Sequence, residues 1–499
     1  MPPFPRNLPR ICVALGFPSI DELSCAAERE FKDGATFLEI RLDYLPDPQD
    51  GIDFVRKFRK RFPEVCLLAT CRLKQAHGRY SGTIDAQMSV LHGALQAGAN
   101  FVDVEIESAE RVKSGVADLR RTAPVMISFH DFERTPSLEA VLRRLKRIPA
   151  DAYKLAITAR KPEDNLRLIE FLKKHSGERL VALAMSEAGV PTRVLGPALG
   201  SLFTYAAPQD AAGTASGQIP AKSMRSLYRA DKLTKQSRVY GVIADPVAHS
   251  KSPLIHNRAF QCRRIDAVYL PFLVPQTRLG EWMKLASGLR VHGFSVTIPH
   301  KRRIIRYLDA IEPVAKRIGA VNTVWRRAGK WRGTNTDVDG VIQPLSRRLR
   351  LANASVLIAG YGGAARAAAI ALSDARARVT IAGRNLRNAH ALAQVAGGEA
   401  LTLEAAQKRT FDVLVNATPV GMYPREDQTL FSGHIPAQIV FDMVYNPRET
   451  LLLKRAKDRG CAVIPGSEML LEQAVRQFEI WTGETAPRAA MQSALDHAL

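Results

Sequence analysis

The chain has 499 residues, 46% of them apolar and 24% charged, the balance of a globular protein too long for one hydrophobic core. A formal net charge of +22 raises nucleic acid as a partner, but the basic residues are dispersed in segments such as 56–61 and 143–147, interleaved with apolar residues like solvated helix faces. With no RNA-recognition signature, no zinc finger and no apolar run of the roughly 18 residues that span a membrane, neither nucleic acid nor membrane is expected and small anionic substrates are favoured.

Six cysteines without a CxxC pair point to reduced, buried thiols rather than a disulfide frame or a metal site. The first ten residues run into a strand-like segment without a cleavage pattern, so a cytoplasmic protein is expected.

From residue 11 to about 207, β-rich runs at 11–16, 37–42, 65–71, 101–106, 125–130, 152–157, 180–185 and 201–206 alternate with amphipathic stretches. Eight such repeats predict a (β/α)8 TIM barrel, with a doubly wound sheet as the competitor. Chemistry in such barrels sits at the C-terminal strand ends. There stand Glu39, Arg41 and Asp43 on the second strand, Arg72 after the third, Asp103 and Glu105 on the fourth, and His130 closing the fifth. Lys154 lies inside the apolar sixth strand, where burial disfavours the ammonium form and frees an amine for attack on a ketone. His130 is placed to exchange a proton near neutral pH. An ion pair between Arg41 and its neighbouring carboxylates is the plainer reading of Glu39 and Asp43.

The segments Leu38-Glu-Ile-Arg-Leu-Asp43, Ile127-Ser-Phe-His-Asp131, Tyr153-Lys-Leu-Ala156, Met185-Ser-Glu-Ala-Gly189 with Arg193, and Gly213-Thr-Ala-Ser-Gly-Gln218 resemble type I 3-dehydroquinate dehydratase over about residues 8–230. The resemblance implies that Lys154 forms an imine with the substrate ketone, that His130 removes the adjacent proton, and that Arg193 binds the carboxylate. Glu39, Arg41, Arg72, Thr214 and Gln218 become supporting substrate contacts. The chain departs from the family at Ala76-His77-Gly78, where Glu-Gly-Gly is common, and at Ser216, where proline is usual. A class I aldolase is the rival for the barrel alone.

Residues 230–238 are polar, lack an apolar face and read as the junction between two complete patterns. We expect domains at 1–230, a linker at 231–238, a substrate domain at 239–345 to which 470–499 return, and a dinucleotide domain at 346–469. Tyr240-Gly-Val-Ile-Ala-Asp-Pro-Val-Ala-His-Ser-Lys-Ser-Pro253 combines a strand, a polar loop with two hydroxyls and a helix start, a place for an oxygen-rich anion. Lys301 follows a proline-stopped strand, and Asp337 sits in Gly333-Thr-Asn-Thr-Asp337; together they are a candidate acid–base pair. Ser355-Val-Leu-Ile-Ala-Gly-Tyr-Gly-Gly-Ala-Ala-Arg-Ala367 reads as a strand, a glycine turn and a helix N-terminus that accept a pyrophosphate. Arg384, where an acidic residue would favour NAD, predicts NADP.

His249-Ser-Lys-Ser-Pro253, Val296-Thr-Ile-Pro-His-Lys301, Gly319-Ala-Val-Asn-Thr323, Asn335-Thr-Asp337, residues 416–422, and Gly466 with Gln473 and Trp481-Thr-Gly483 resemble shikimate dehydrogenase over about 238–499. The resemblance implies an α/β substrate domain followed by a Rossmann NADP-binding domain. It places Ser250, Ser252, Thr297, Asn322, Asp337, Gln473 and Tyr445 on the substrate, with Lys301 and Asp337 catalytic. It assigns Gly360, Gly362, Gly363, Ala364, Arg384, Asn416, Thr418, Met422 and Gly466 to the cofactor. Ala244, Ser295 and Tyr361 stand where the family commonly has glycine, asparagine and a small residue. The two resemblances together imply dehydration of 3-dehydroquinate followed by reduction of 3-dehydroshikimate with NADPH. A quinate-directed or NAD-using dehydrogenase, and a basic nucleic-acid-binding protein, are the alternatives.

Overall fold

The structure is a computed structural model that describes all residues except 1–3, 6, 210, 212, 432 and 499. The chain divides into two compact units, residues 1–239 with 270–290, and residues 240–269 with 291–499.

The first unit holds eight strands, β1 (Ile11–Leu15), β2 (Phe37–Arg41), β3 (Cys66–Thr70), β4 (Phe101–Glu105), β5 (Val125–His130), β6 (Ala152–Thr158), β7 (Leu180–Met185) and β8 (Thr204–Ala206). They form one sheet in the order β7-β6-β5-β4-β3-β2-β1-β8, with every recorded ladder parallel. At the β7–β8 seam the ladder is replaced by side chains. Ser201 Oγ accepts from the Ala182 amide at 3.1 Å and Thr192 Oγ1 from the Ala184 amide at 3.0 Å. One backbone bond, from the Leu202 amide to the Leu180 carbonyl, also crosses the seam. The eight expected strands are therefore present in a nearly closed barrel, with a seam held by hydroxyls.

Side chains alternate along a strand, so each strand offers one inward set. The lower inward residues are apolar: Phe37, Leu68, Phe101, Met126, Ala152 and Val181 belong to one buried cluster, and the Phe37 ring meets the Phe203 ring edge-on at 4.9 Å. Two residues further along the strands the inward set becomes Glu39, Thr70, Asp103, Ser128 and Lys154, all buried. An apolar plug at the N-terminal end thus supports a charged layer at the C-terminal end.

The second half of the chain supplies β9 (Arg238–Ala244), β10 (Ala267–Leu273), β11 (Val291–Val296), β12 (Ala310–Ile311), β13 (Thr323–Arg327) and β14 (Lys330–Thr334), in the order β10-β9-β11-β13-β14-β12. The β11–β13 and β13–β14 ladders are antiparallel. A third sheet contains β15 (Ser355–Ala359), β16 (Arg378–Ala382), β17 (Glu399–Leu401), β18 (Phe411–Asn416), β19 (Ala437–Asp442) and β20 (Ala462–Ile464). Its order, β17-β16-β15-β18-β19-β20, is the Rossmann order with parallel ladders throughout. Both faces of this sheet are covered. Val356 and Ile358 enter one buried cluster, while Leu357 and Ala359 enter another. The crevice at the switch point between β15 and β18 is where such sheets bind ligands.

Two candidate active sites

All eight barrel residues expected from the sequence, Glu39, Arg41, Arg72, His130, Lys154, Arg193, Thr214 and Gln218, line one pocket at the C-terminal mouth. Lys154 Nζ donates to Asp103 Oδ2 at 2.9 Å and to the Tyr205 hydroxyl at 2.9 Å. Arg72 Nη2 stands 3.8 Å from the same Asp103 oxygen, and Ser128 donates to the other. Burial alone would push the Asp103 carboxyl up, but Lys154 and Arg72 hold it below its ordinary value. Lys154 is therefore not the lone amine in an apolar strand that its sequence context implied. Its amine is hydrogen-bonded to a carboxylate two strands away.

The expected ion pair on β2 is present: Arg41 Nε and Nη2 donate to Asp43 at 2.9 and 2.8 Å. Glu39 accepts from Thr70 Oγ1 at 2.7 Å. Glu105 is tied down by Gln87, Ser108 and the Leu73 amide, and burial raises its carboxyl. That makes it a brace of the β3 loop rather than a group facing substrate.

Burial, reinforced by Arg72, Lys154, Arg41 and His77, pushes the His130 imidazole well below its ordinary value. Burial first, and then the facing cations, thus favour the neutral form of the His130 imidazole. Its ring stacks near Phe132 at 6.0 Å, and the His77 ring meets the same aromatic at a tilt, 4.8 Å away. His77 adopts φ 61, and Gly78 lies so close under Arg72 that a Cβ would sit 2.0 Å from the Arg72 carbonyl oxygen. The departure Ala76-His77-Gly78 thus brings a second imidazole to the mouth.

Arg193 is 1% exposed, and burial lowers it to about 10. Its Nη2 donates to the Ser216 carbonyl at 3.0 Å, whereas Nε and Nη1 meet no acceptor among the described residues. A buried guanidinium with two open donors at a pocket wall suits a carboxylate ligand. Thr214 and Gln218 hydrogen-bond each other at 3.3 Å on the rim.

In the second unit, Lys301 Nζ donates to Asp337 Oδ2 at 2.6 Å, and Asn322 Nδ2 donates to Asp337 Oδ1 at 2.8 Å. Ser295 Oγ donates to Gln477 Oε1 at 2.8 Å and accepts from the Tyr269 hydroxyl at 2.7 Å. Gln477 Nε2 donates to Thr323 Oγ1 at 3.1 Å, and Thr323 Oγ1 donates to Asn322 Oδ1 at 2.7 Å. A continuous buried chain therefore links Tyr269 to the Lys301–Asp337 pair, and Ser295, one of the departures, is a link in it. Tyr269 and Gln477 escaped sequence reasoning because neither lies in the loops that carry the recognisable segments. Ser250 accepts from the Ser252 amide at 3.4 Å; Thr297 and Tyr445 are half-buried, and Gln473 donates to the Leu470 carbonyl at 3.0 Å.

The glycine-rich turn opens the helix Gly363–Asp374. Gly360 has φ +116 and a Cβ there would meet the Ala417 carbonyl oxygen at 3.0 Å, so glycine is required. At Gly362 and Gly363 none of the described residues lies within 4 Å of a built Cβ, which leaves room for a pyrophosphate at the helix start beside Ala364. Arg384 is exposed just beyond β16, and Tyr361 packs over Gly383. These groups fit NADP. Asn416 is different: its amide donates to Asp442 Oδ1 at 2.9 Å and its oxygen accepts from Thr418 Oγ1 at 2.7 Å, so it shapes the loop instead of facing a ligand. Burial raises Asp442 to about 6. Met422 is 43% exposed, and Gly466 packs so tightly on Val444 that a Cβ would sit 2.5 Å from its carbonyl oxygen.

Family models match the chain in three places: type I 3-dehydroquinase over residues 11–235, the shikimate dehydrogenase substrate binding domain over 242–324, and the shikimate 5'-dehydrogenase C-terminal domain over 466–495. A chloroplastic bifunctional 3-dehydroquinate dehydratase/shikimate dehydrogenase of Arabidopsis thaliana is 34% identical over 508 residues, covering 97% of this chain and 83% of the relative. The chain belongs to this bifunctional family. An NADP(+) shikimate dehydrogenase of Nitrosopumilus maritimus is 39% identical over 52% of this chain and 98% of its own length. A crystal structure of shikimate dehydrogenase in complex with NADP+ superposes with a TM-score of 0.51 at 36% identity, over 53% of this chain and 96% of that one. The bifunctional family thus accounts for both sites, one in each unit. No described helix is long and apolar enough to cross a membrane.

Proposed function

We propose that the barrel converts 3-dehydroquinate to 3-dehydroshikimate through an imine on Lys154, and that the second unit reduces 3-dehydroshikimate to shikimate with NADPH. The observation that carries this reading is the convergence of Lys154, His130 and the open donors of Arg193 on one pocket wall. After a proton leaves Lys154, its lone pair attacks the ketone carbon, and loss of water gives an iminium that withdraws electrons from the adjacent C–H. Neutral His130 takes that proton, the electron pair forms the new double bond, and the β-hydroxyl leaves as water with the proton returned by His130. Hydrolysis of the imine then frees Lys154. Arg193 holds the carboxylate, with Glu39, Arg41, Arg72, Thr214 and Gln218 fixing the ring hydroxyls.

In the second unit Ser250 and Ser252 take the carboxylate, while Thr297, Asn322, Asp337, Gln473 and Tyr445 hold the ring oxygens. NADPH supplies the hydride when bound. Lys301 gives a proton to the developing alkoxide, and Asp337 keeps that ammonium oriented. Gly360 to Ala364 hold the cofactor pyrophosphate, Arg384 its 2′-phosphate, and Met422 and Gly466 flank the reacting ring. We place the domain bounds at 1–230, 239–345 with 470–499, and 346–469, joined by 231–238. The six unpaired cysteines support a reducing compartment such as the cytoplasm, which cell fractionation tests.

The test is incubation of the full chain with 3-dehydroquinate and NADPH, following shikimate formation and loss of NADPH absorbance together. Stoichiometric production of shikimate is expected; accumulation of 3-dehydroshikimate without NADPH loss would refute the second activity.

A further inference from the structure

We propose that Tyr205 is a catalytic residue of the barrel, its hydroxyl relaying a proton between Lys154 Nζ and the oxygen of the adduct that Lys154 forms with a ketone. The inference rests on the imine reading of Lys154. Tyr205 stands inward on β8, 3% exposed, and contributes to the same pocket wall as Lys154 and Arg193. Its hydroxyl oxygen accepts from Lys154 Nζ at 2.9 Å, and Nζ lies 4.1 Å from the centre of the ring. The Phe203 ring, edge-on at 5.3 Å, fixes the phenol laterally. Among the described residues no acceptor takes the phenol's own proton, which leaves one open donor beside the nucleophile.

Burial, with the carboxylates of Glu39 and Asp103, pushes the phenol well above its ordinary value. A free phenolate is therefore disfavoured, and the hydroxyl acts by passing a proton through rather than by ionising. When the neutral amine attacks, the N–C bond forms and the carbonyl π pair moves to oxygen, leaving an N–H too many on nitrogen and a negative charge on oxygen. The Lys154 N–H then breaks as a new O–H forms on Tyr205, while the original Tyr205 O–H breaks as the adduct oxygen is protonated. One proton has moved from nitrogen to oxygen and the tyrosine is restored. Hydrolysis of the imine runs the same relay in reverse.

Tyr205→Phe keeps the ring and removes only the relay. The full-length wild type and variant are mixed with 3-dehydroquinate, quenched at intervals with borohydride, and the reduced adduct on Lys154 is followed by mass spectrometry. Adduct formation is expected to slow by roughly 100-fold in the variant, with dehydrogenase activity and circular dichroism unchanged. Labelling at the wild-type rate would overturn the relay. Absence of label on Lys154 in the wild type would instead overturn the imine reading itself. Should Tyr205→Phe fold poorly, 3,5-difluorotyrosine at position 205 decides: a shift of labelling rate by about threefold or more supports the relay, and an unchanged rate overturns it.

Discussion

Lys154 on β6 and Asp103 on β4 are joined by a 2.9 Å charge-assisted hydrogen bond inside the barrel, with both side chains almost fully buried. The pair is stable only as a pair, since removing one member leaves the other charge desolvated. Asp103→Asn is expected to cost the barrel about 3–5 kcal/mol. It should also lower dehydratase kcat by roughly 100-fold, because the first proton of Lys154 loses its acceptor. Chemical denaturation and steady-state kinetics measure both, and wild-type values in each would contradict the pairing.

Lys301 and Asp337, paired at 2.6 Å, are the proposed proton source of the second reaction. Lys301→Ala should reduce dehydrogenase kcat by about 100-fold to 10,000-fold with a smaller effect on KM, while dehydratase activity in the same chain persists. An effect confined to KM would make Lys301 a binding group only.

Arg384 is exposed beside the open amides of the helix Gly363–Asp374. Arg384→Ala should weaken NADPH binding by roughly tenfold to a hundredfold and leave NADH little changed. Fluorescence titration with each nucleotide reads this directly; an unaltered ratio of dissociation constants would remove the phosphate assignment.

His256 is packed against Tyr269 and Trp481, ring centres 4.5 and 5.0 Å away. Burial depresses its imidazole to about 3, opposed only by Gln477. The folded form therefore binds its proton later than the unfolded form as pH falls. Its stabilisation is complete above about 6.5 and is lost progressively below that, by about 1.4 kcal/mol per pH unit. His256→Phe should lose less stability than the wild type between pH 7.5 and 5, by about 2 kcal/mol. Parallel pH dependence in urea denaturation of the two proteins would exclude His256 as the source.

The barrel strands were legible because hydrophobic runs recur with turns between them, and the Rossmann turn because Gly360 must adopt a positive φ that other residues resist. Glu39, Arg41, Arg72, His130 and Lys154 were legible as polar groups on or just after the strands, where chemistry collects in that fold, whereas Arg193, on the helix Val190–Leu199, and Thr214 and Gln218 were assigned through the family resemblance. Lys154 was read as an amine in apolar surroundings, since a strand sequence does not disclose its cross-barrel neighbour. The depression of His130 was not legible, because it comes from burial in the fold and from Arg72, Lys154, Arg41 and His77, groups of other elements.

By itself the sequence determined which residues can adopt each backbone conformation, where apolar faces must be buried, and which side chains carry reactive groups. Only the tertiary structure decided that Asp103 and Tyr205, each 51 residues from Lys154, meet the same nitrogen. It also decided that Tyr269, Ser295 and Gln477 run through Thr323 and Asn322 to the Lys301–Asp337 pair. The reason is physical: hydrogen bonds and desolvation act over a few ångströms, and which groups come that close is set by strand register and closure rather than by position along the chain.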